Sequence, residues 1–165
     1  MSHRLVLVWA IAVIVMAPVA GRTAEPLAGA ETYKKRCAIC HRPNGEGVAG
    51  VYPPLDQTLG HFMVVQSGRD YLVDVVVVGL GGTITVGEKK YIGQMKLVPP
   101  LADQEAADVL NYVLATFNQA SLPADSRPFD AMEIATRRAT PQTPTEIAKR
   151  RQSIVAELES LGIAR

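Results

Sequence analysis

The chain has 165 residues, of which 48% are hydrophobic and 20% charged, with 17 lysines and arginines against 16 acids. That is apolar enough for one globular core and excludes a disordered chain. The near-neutral balance, with no basic stripe interleaved with aromatics, excludes the footprint of a nucleic-acid-binding protein.

Arg4 precedes an uncharged apolar run from Leu5 to Ala17, followed by Pro18 and small residues up to Ala24. This is the pattern of a secretory signal peptide over residues 1–24, with cleavage expected between Ala20 and Ala24 and a periplasmic destination. An uncleaved anchor competes, but the run falls short of the roughly 20 apolar residues of a membrane span. Removal of residues 1–24 takes away Arg4 and Arg22 and no acid, leaving 15 basic and 16 acidic groups.

From Leu27 to Cys37, "LAGAETYKKRC" predicts a short helix with Ala30 and Tyr33 on its apolar side and Lys34 and Lys35 facing away. "HRPNGEGVAGVYPPLDQTLG" is too rich in glycine and proline for regular structure, so a long loop follows. Long loops in compact domains usually wrap or bind something. "GRDYLVDVVVVGLGG" is ambiguous: Val75–Val78 favours a strand, whereas Leu72, Val75, Val76 and Gly79 fit one helical face with Gly79 as the stop. In "TITVGEKKYIG", Ile84 and Val86 alternate and Tyr91 follows a Gly87-Glu88 turn, which predicts a small β-hairpin.

"ADQEAADVLNYVLATF" places Ala106, Val109, Leu110, Val113, Leu114 and Phe117 at helical spacing, the clearest helix in the chain. The polar stretch over residues 119–143 reads as a linker or tail. Beyond it, Thr143-Pro144-Thr145-Glu146 forms a capping-box arrangement with proline at the first helical position. An amphipathic helix over 144–165 is expected, with Ile147, Ile154, Val155, Leu158 and Leu161 along one stripe. That stripe must dock on the same domain or on a partner.

Both cysteines of the chain stand in Cys37-Ala38-Ile39-Cys40-His41. A structural zinc site needs four Cys or His ligands, and only His3 and His61 remain to help. A disulfide across two intervening residues makes a strained ring more typical of redox catalysis than of stapling. A thiol oxidoreductase would set the motif between a strand and a helix, not between a helix and a glycine-proline loop. Covalent haem c attachment accounts for the whole run: Cys37 and Cys40 become thioethers to the porphyrin vinyl groups, and His41 is the proximal iron ligand.

With this motif near its start and a methionine loop and final helix later, the chain resembles the class I monohaem cytochrome c family over residues 27–118. The resemblance implies a mainly α class I cytochrome c fold wrapped around one covalent haem over 25–118, with a small β-hairpin and a C-terminal helical extension. It also implies that Gly29, four residues before Tyr33, lets Tyr112 of the last core helix approach closely. In "YPPL", the Pro53 carbonyl would accept a hydrogen bond from His41, orienting the imidazole and raising its basicity, and Leu55 would pack on the haem.

"GLGGTITVGEKKYIGQM" is similar to segments of periplasmic cytochromes that accept electrons from dehydrogenases, where it covers the haem and delivers the distal methionine. Met95 is the candidate on that basis, although Lys96 rather than the family's usual proline follows it. Met63 reads as core and Met132 as packing in the tail. His61 is a second candidate ligand whose simpler reading is a surface histidine. Gly81-Gly82 could bring backbone close to a haem propionate, and Tyr91 could donate a hydrogen bond near the haem.

With His41 and Met95 filling both axial positions, the expected chemistry is transfer of single electrons, and no constellation of side chains points to an enzyme acting on its own substrate. The expected partners are a dehydrogenase donor and an oxidase or another cytochrome as acceptor, with membrane contact only if the N-terminal segment is uncleaved. Lys34, Lys35, Lys89, Lys90 and Lys96 could ring an exposed haem edge near Cys37 and Cys40. Two alternatives stay open: a dedicated subunit docked through the C-terminal helix, and a haem sensor whose Met95–iron bond is weak.

Overall fold

The structure is a computed structural model that describes residues 28–96 and 98–163; the signal-peptide reading lies outside them. The chain opens with a continuous helical stretch: α1 (Ala28–Thr32), a π-helical turn (Tyr33–Cys37) and α2 (Ala38–His41). A loop leads to a 3₁₀ turn (Leu59–Val64), then come α3 (Gln66–Val77), β1 (Leu80–Val86), β2 (Lys89–Met95), α4 (Asp103–Phe117), α5 (Ala131–Arg138) and α6 (Pro144–Ser160). No helix among the described residues is long and apolar enough to cross a membrane.

The first helix runs past Cys37, where the composition reading ended it, to His41. It does so through a π turn in which the Ala38 N–H bonds the Tyr33 carbonyl, a device that recurs at functional sites. Tyr33 is buried against Tyr112 (centroids 5.5 Å apart) and Phe117 (5.1 Å), and its hydroxyl donates to the Arg42 carbonyl at 2.6 Å. Lys34 and Lys35 face solvent as expected. Gly29 is where α1 crosses α4: a Cβ there would collide with the Asp108 carbonyl and come within 2.7 Å of Tyr112 Cβ. The close approach that the resemblance implied for Gly29 and Tyr112 is therefore present.

The valine run resolves as helix. In α3, Tyr71, Leu72 and Val73 are buried while Val75–Val78 are only partly covered, so burial on a helical face outweighs β-propensity. Gly79 takes φ 109° just past the helix end, as a helix stop requires. β1 and β2 pair antiparallel from Val86↔Lys89 to Leu80↔Met95, and Gly87, at φ 57°, supplies the positive angle at the first position of the two-residue turn. The buried face of α4 matches its predicted spacing except at Phe117, which is only partly buried, and Ala107 is added to it.

Residues 119–143, read as a linker or tail, instead carry the docked helix α5. Asp130 Oδ1 caps it by accepting from the Glu133 N–H at 2.9 Å, and Phe129 and Ile134 are buried in the core. The polar composition misled because the polar groups themselves make the contact. Arg69 of α3 is clamped by both oxygens of Glu133 (2.6 Å each), by the Arg127 and Pro128 carbonyls (2.8 and 2.9 Å), and by the Phe129 ring at 4.0 Å. Met132, expected to pack, is 79% exposed.

Helix α6 forms where its capping box predicts. Thr143 Oγ1 accepts from the Glu146 N–H at 3.3 Å, and Glu146 Oε2 accepts in return from the Thr143 N–H at 2.8 Å. Its apolar stripe docks on its own domain, against β1, α3 and the 3₁₀ turn, burying Ile147, Ile154 and Leu158. Leu161 leaves the predicted stripe and is exposed, because the helix ends in a Schellman turn at Gly162 (φ 75°). There the Ile163 N–H bonds the Leu158 carbonyl and Ile163 takes the inward place.

Asp74, fully buried on α3, fastens the region further. Its Oδ1 accepts from Arg137 Nε at 3.0 Å, and its Oδ2 accepts from Arg137 Nη2 at 2.5 Å and from Arg150. This pairing raises the affinity of Arg137 for its proton.

Candidate functional site

Cys37, Cys40 and His41 stand at i, i+3 and i+4 of one helical stretch, so geometry alone puts the three on one face. Beside them opens an apolar cleft, which Cys37, His41, Leu55, Leu72, Leu110 and Met95 help to line. A second cleft shares Cys37, His41 and Met95 and continues to Cys40 and Tyr91.

His41 is only 5% exposed, and its Nδ1–H donates to the Pro53 carbonyl at 2.9 Å. That bond fixes the tautomer and leaves Nε2 as the lone-pair-bearing nitrogen on the cleft. Burial holds the imidazole pKa below its ordinary value, with the Pro53 contact opposing, so the ring is kept in the neutral form that a metal requires. The Pro53 carbonyl is itself held in place by Gly47 (φ 65°). A Cβ at that position would come within 2.8 Å of the Pro53 carbonyl group and run into the Tyr52 carbonyl. The Gly47 N–H bonds the His41 carbonyl at 3.0 Å, tying the loop back to the helix. Burial pushes the Cys37 thiol up to about 11, so the uncoupled side chain is an inert thiol rather than a catalytic thiolate.

Met95 ends β2 opposite Leu80 instead of lying in a free loop. The hairpin extends far enough to carry it to the cleft, and Arg36 Nη2 donates to the Pro99 carbonyl at 2.5 Å, fastening the segment beyond it to the motif helix. Met63 packs against the core and Met132 is exposed, so neither joins His41 at the cleft. His61 lines a separate outer groove. Tyr91 is buried on the Cys40 side, paired with Ile84 across the hairpin. Gly81 faces Pro144 of α6, where a Cβ would lie 3.1 Å from the proline Cβ, while Gly82 is open and lines the Cys40 side.

Asn118, the last residue before the stretch read as a tail, is nearly fully buried and joins three segments. Its Oδ1 accepts from the N–H groups of Leu59 (2.9 Å) and Gly60 (3.3 Å), and its Nδ2 donates to the carbonyls of Leu55 (2.7 Å) and Val113 (3.1 Å). It thereby sets where Leu55 meets the cleft. No local pattern marks an asparagine for such a role; its partners lie up to 63 residues away.

The sequence profile of the cytochrome c family matches residues 27–117, more than half of the chain. The chain belongs to the cytochrome c family. It is 36% identical over 135 residues to cytochrome c-552 of Thermus thermophilus, an alignment covering 82% of this chain and 97% of that one. An alignment of that length cannot fit within residues 1–117, so it takes in part of the C-terminal region. The chain is also 37% identical over 95 residues to the cytochrome c subunit of a quinone alcohol dehydrogenase from Gluconacetobacter polyoxogenes, covering 56% of this chain and 19% of that subunit. A cytochrome c carries covalently attached haem c and transfers electrons, and the expected fold and cofactor are both those of this family. The structure fits the group: an apolar cleft begins at the Cys37 thiol, adjoins the opening that reaches the Cys40 thiol, and is lined by one neutral imidazole nitrogen and one thioether.

Proposed function

We propose that the protein is an exported, free-standing one-electron carrier, periplasmic after removal of residues 1–24, that takes electrons from a dehydrogenase and passes them to a respiratory acceptor. Cys37 and Cys40 hold the haem as thioethers, and His41 Nε2 and Met95 Sδ are the iron ligands. The observation that carries the reading is that His41, its other nitrogen tied to Pro53, and Met95 line the same apolar cleft starting at Cys37. The bound group supplies a ferric–ferrous couple. The chain supplies a neutral, oriented imidazole, a sulfur ligand that favours the reduced state, and a dry pocket that keeps the charge change away from water.

A free carrier is favoured over a dedicated subunit because the apolar stripe of α6 is spent on the chain's own core. The near-complete coverage of cytochrome c-552 supports the same choice, against 19% of the dehydrogenase subunit. The similarity to that subunit supports a dehydrogenase as donor.

The surface around Cys40 fits a brief encounter with such partners. Val51, Tyr52 and Ile92 line the cleft there and are exposed, and Ile39, between the two cysteines, is 79% exposed. Of the five lysines expected to ring the edge, only Lys96 lines this opening; Lys90 lies on the outer groove and Lys35 pairs with Glu31 at 3.3 Å. The docking face is therefore mainly apolar, and association with a small partner patch should depend weakly on salt. Stopped-flow electron exchange with a quinone dehydrogenase tests this. Ile92→Glu should slow exchange while leaving the reduction potential in place, and Lys35→Glu should change neither. Equal rates in the wild type and Ile92→Glu would overturn the docking face.

A further inference from the structure

Three arginines of this domain are largely withdrawn from solvent, and two of them have their counter-charge in the protein: Arg69 has Glu133 and Arg137 has Asp74. The third, Arg151 of α6, is only 8% exposed, and its Nη1 is buried with no hydrogen-bond partner. Among the described residues no carboxylate forms an ion pair with it. Its guanidinium lies 5.0 Å from the Phe62 ring, and Phe62 in turn stacks on Tyr71 at 5.4 Å. A ring face compensates a cation only in part. A buried charge with no partner is strongly destabilising, so a guanidinium in this place calls for an anion.

The position of the side chain says which anion. Arg151 lines both the apolar cleft that holds His41 and Met95 and the outer groove that holds His61 and Lys90. It does not line the side of the cleft that reaches Cys40. Arg151 thus stands where the cofactor cleft gives way to a more polar groove, away from the second thioether position. A porphyrin attached through its vinyl groups carries its two carboxylate side chains on the edge away from those vinyls. Tyr71 lines the same cleft; burial pushes its hydroxyl up to about 12, so it stays a donor, and Arg151 and Arg150 both act on it as positive charges.

We propose that Arg151 is the anion anchor of the cofactor site, its guanidinium binding a propionate of the covalently held haem. The C-terminal helix, which lies outside the stretch 27–117 that matches the family, thereby becomes part of that site. The proposal rests on the haem reading of the cleft. It gives α6 a task that burial of its apolar stripe alone does not: a propionate paired with Arg151 stays ionised and charge-compensated, so its titration is kept out of the working pH range.

The test is the reduction potential of the haem-loaded wild type, Arg151→Gln and Arg151→Lys from about pH 5 to pH 8, where an uncompensated carboxylate would begin to titrate. The charged and titratable groups near Arg151 are Tyr71 on α3, His61 on the 3₁₀ turn, Lys90 on β2, and Arg150 and Glu159 on α6. His61→Gln is therefore added to each background. An ionised carboxylate with no cation beside it favours the ferric state. The Arg151→Gln potential should thus fall below that of the wild type by an amount that grows as pH rises, and Arg151→Lys should close most of the gap.

A purely structural role would lower the unfolding midpoint and leave the gap constant across pH. A constant gap, or none, overturns the proposal, as does a gap that vanishes with His61→Gln. If Arg151→Gln takes up no haem, the redox-difference infrared spectrum of Arg151→Lys decides. Carboxylate bands displaced from those of the wild type are expected, and unchanged bands overturn the proposal. A wild-type chain without covalent haem would instead overturn the reading of the cleft.

Discussion

The motif side of the cleft and its C-terminal side are held by different forces. Around Cys37, Cys40 and His41 the restraints are local and made largely by backbone: a π turn, the Pro53 carbonyl on the imidazole, and Gly47 against the Tyr52-Pro53 backbone. Around α5 and α6 they are long-range and made by side chains: Arg69 with Glu133, Asp74 with Arg137 and Arg150, and the apolar faces of Ile134, Ile147 and Ile154. The first arrangement fixes the chemistry of a ligand, and the second encloses and stabilises the site. Damage to the two sides should therefore read out differently, as loss of cofactor in one case and loss of stability in the other.

The largest effect is expected on the motif side. Replacing both cysteines, Cys37→Ser with Cys40→Ser, should remove covalent haem altogether, seen as no haem-staining band on a denaturing gel. A stained band of wild-type intensity would break the assignment. On the other side, ending the chain at Asn118 removes Ile134, Ile147, Ile154 and Leu158 from the core. At about 1.5–3 kcal/mol for each buried side chain, the loss approaches the whole stability of a small domain, about 5–15 kcal/mol. The truncated chain should give little folded holoprotein; a melting temperature close to the wild type would make the C-terminal region an appendage after all.

Asp74→Asn sharpens the contrast. It strips the carboxylate from two arginines that remain partly exposed, so the loss should sit near the low end for a broken buried pair, about 3 kcal/mol. Thermal melting should register it while the optical spectrum of the haem stays unchanged. Asn118→Ala lies between the two regions and should cost about 1–3 kcal/mol through the polar groups it leaves unpaired. Because Asn118 sets the Leu55 carbonyl, this variant alone of the stability variants should also perturb the haem spectrum.

The same contrast explains what could be read from the sequence. The attachment motif, the His41–Pro53 contact, the Gly29 crossing, the hairpin and the spacing of α4 all follow from short-range pattern or from resemblance to the family, and the structure shows each contact where it was expected. The valine run was undecidable locally, because β-branched residues on a helical spacing satisfy both templates until a neighbour buries one face. Helix α5 was missed since its docking uses Arg69 and Glu133, which composition counts as surface residues. Arg151 was invisible for the same reason: an arginine beside Arg150 on a helix looks solvated, and only the fold shows that one faces Asp74 and the other the cleft.

The most direct test of the account is the optical spectrum of the matured protein, oxidised and reduced, with and without carbon monoxide, beside Met95→Ala. His41 and Met95 as ligands predict a low-spin haem c that ignores carbon monoxide, with a sulfur-to-iron charge-transfer band that disappears in the variant. A wild type that binds carbon monoxide readily, or a variant with an unchanged spectrum, would contradict Met95 as the sixth ligand and with it the electron-carrier mechanism.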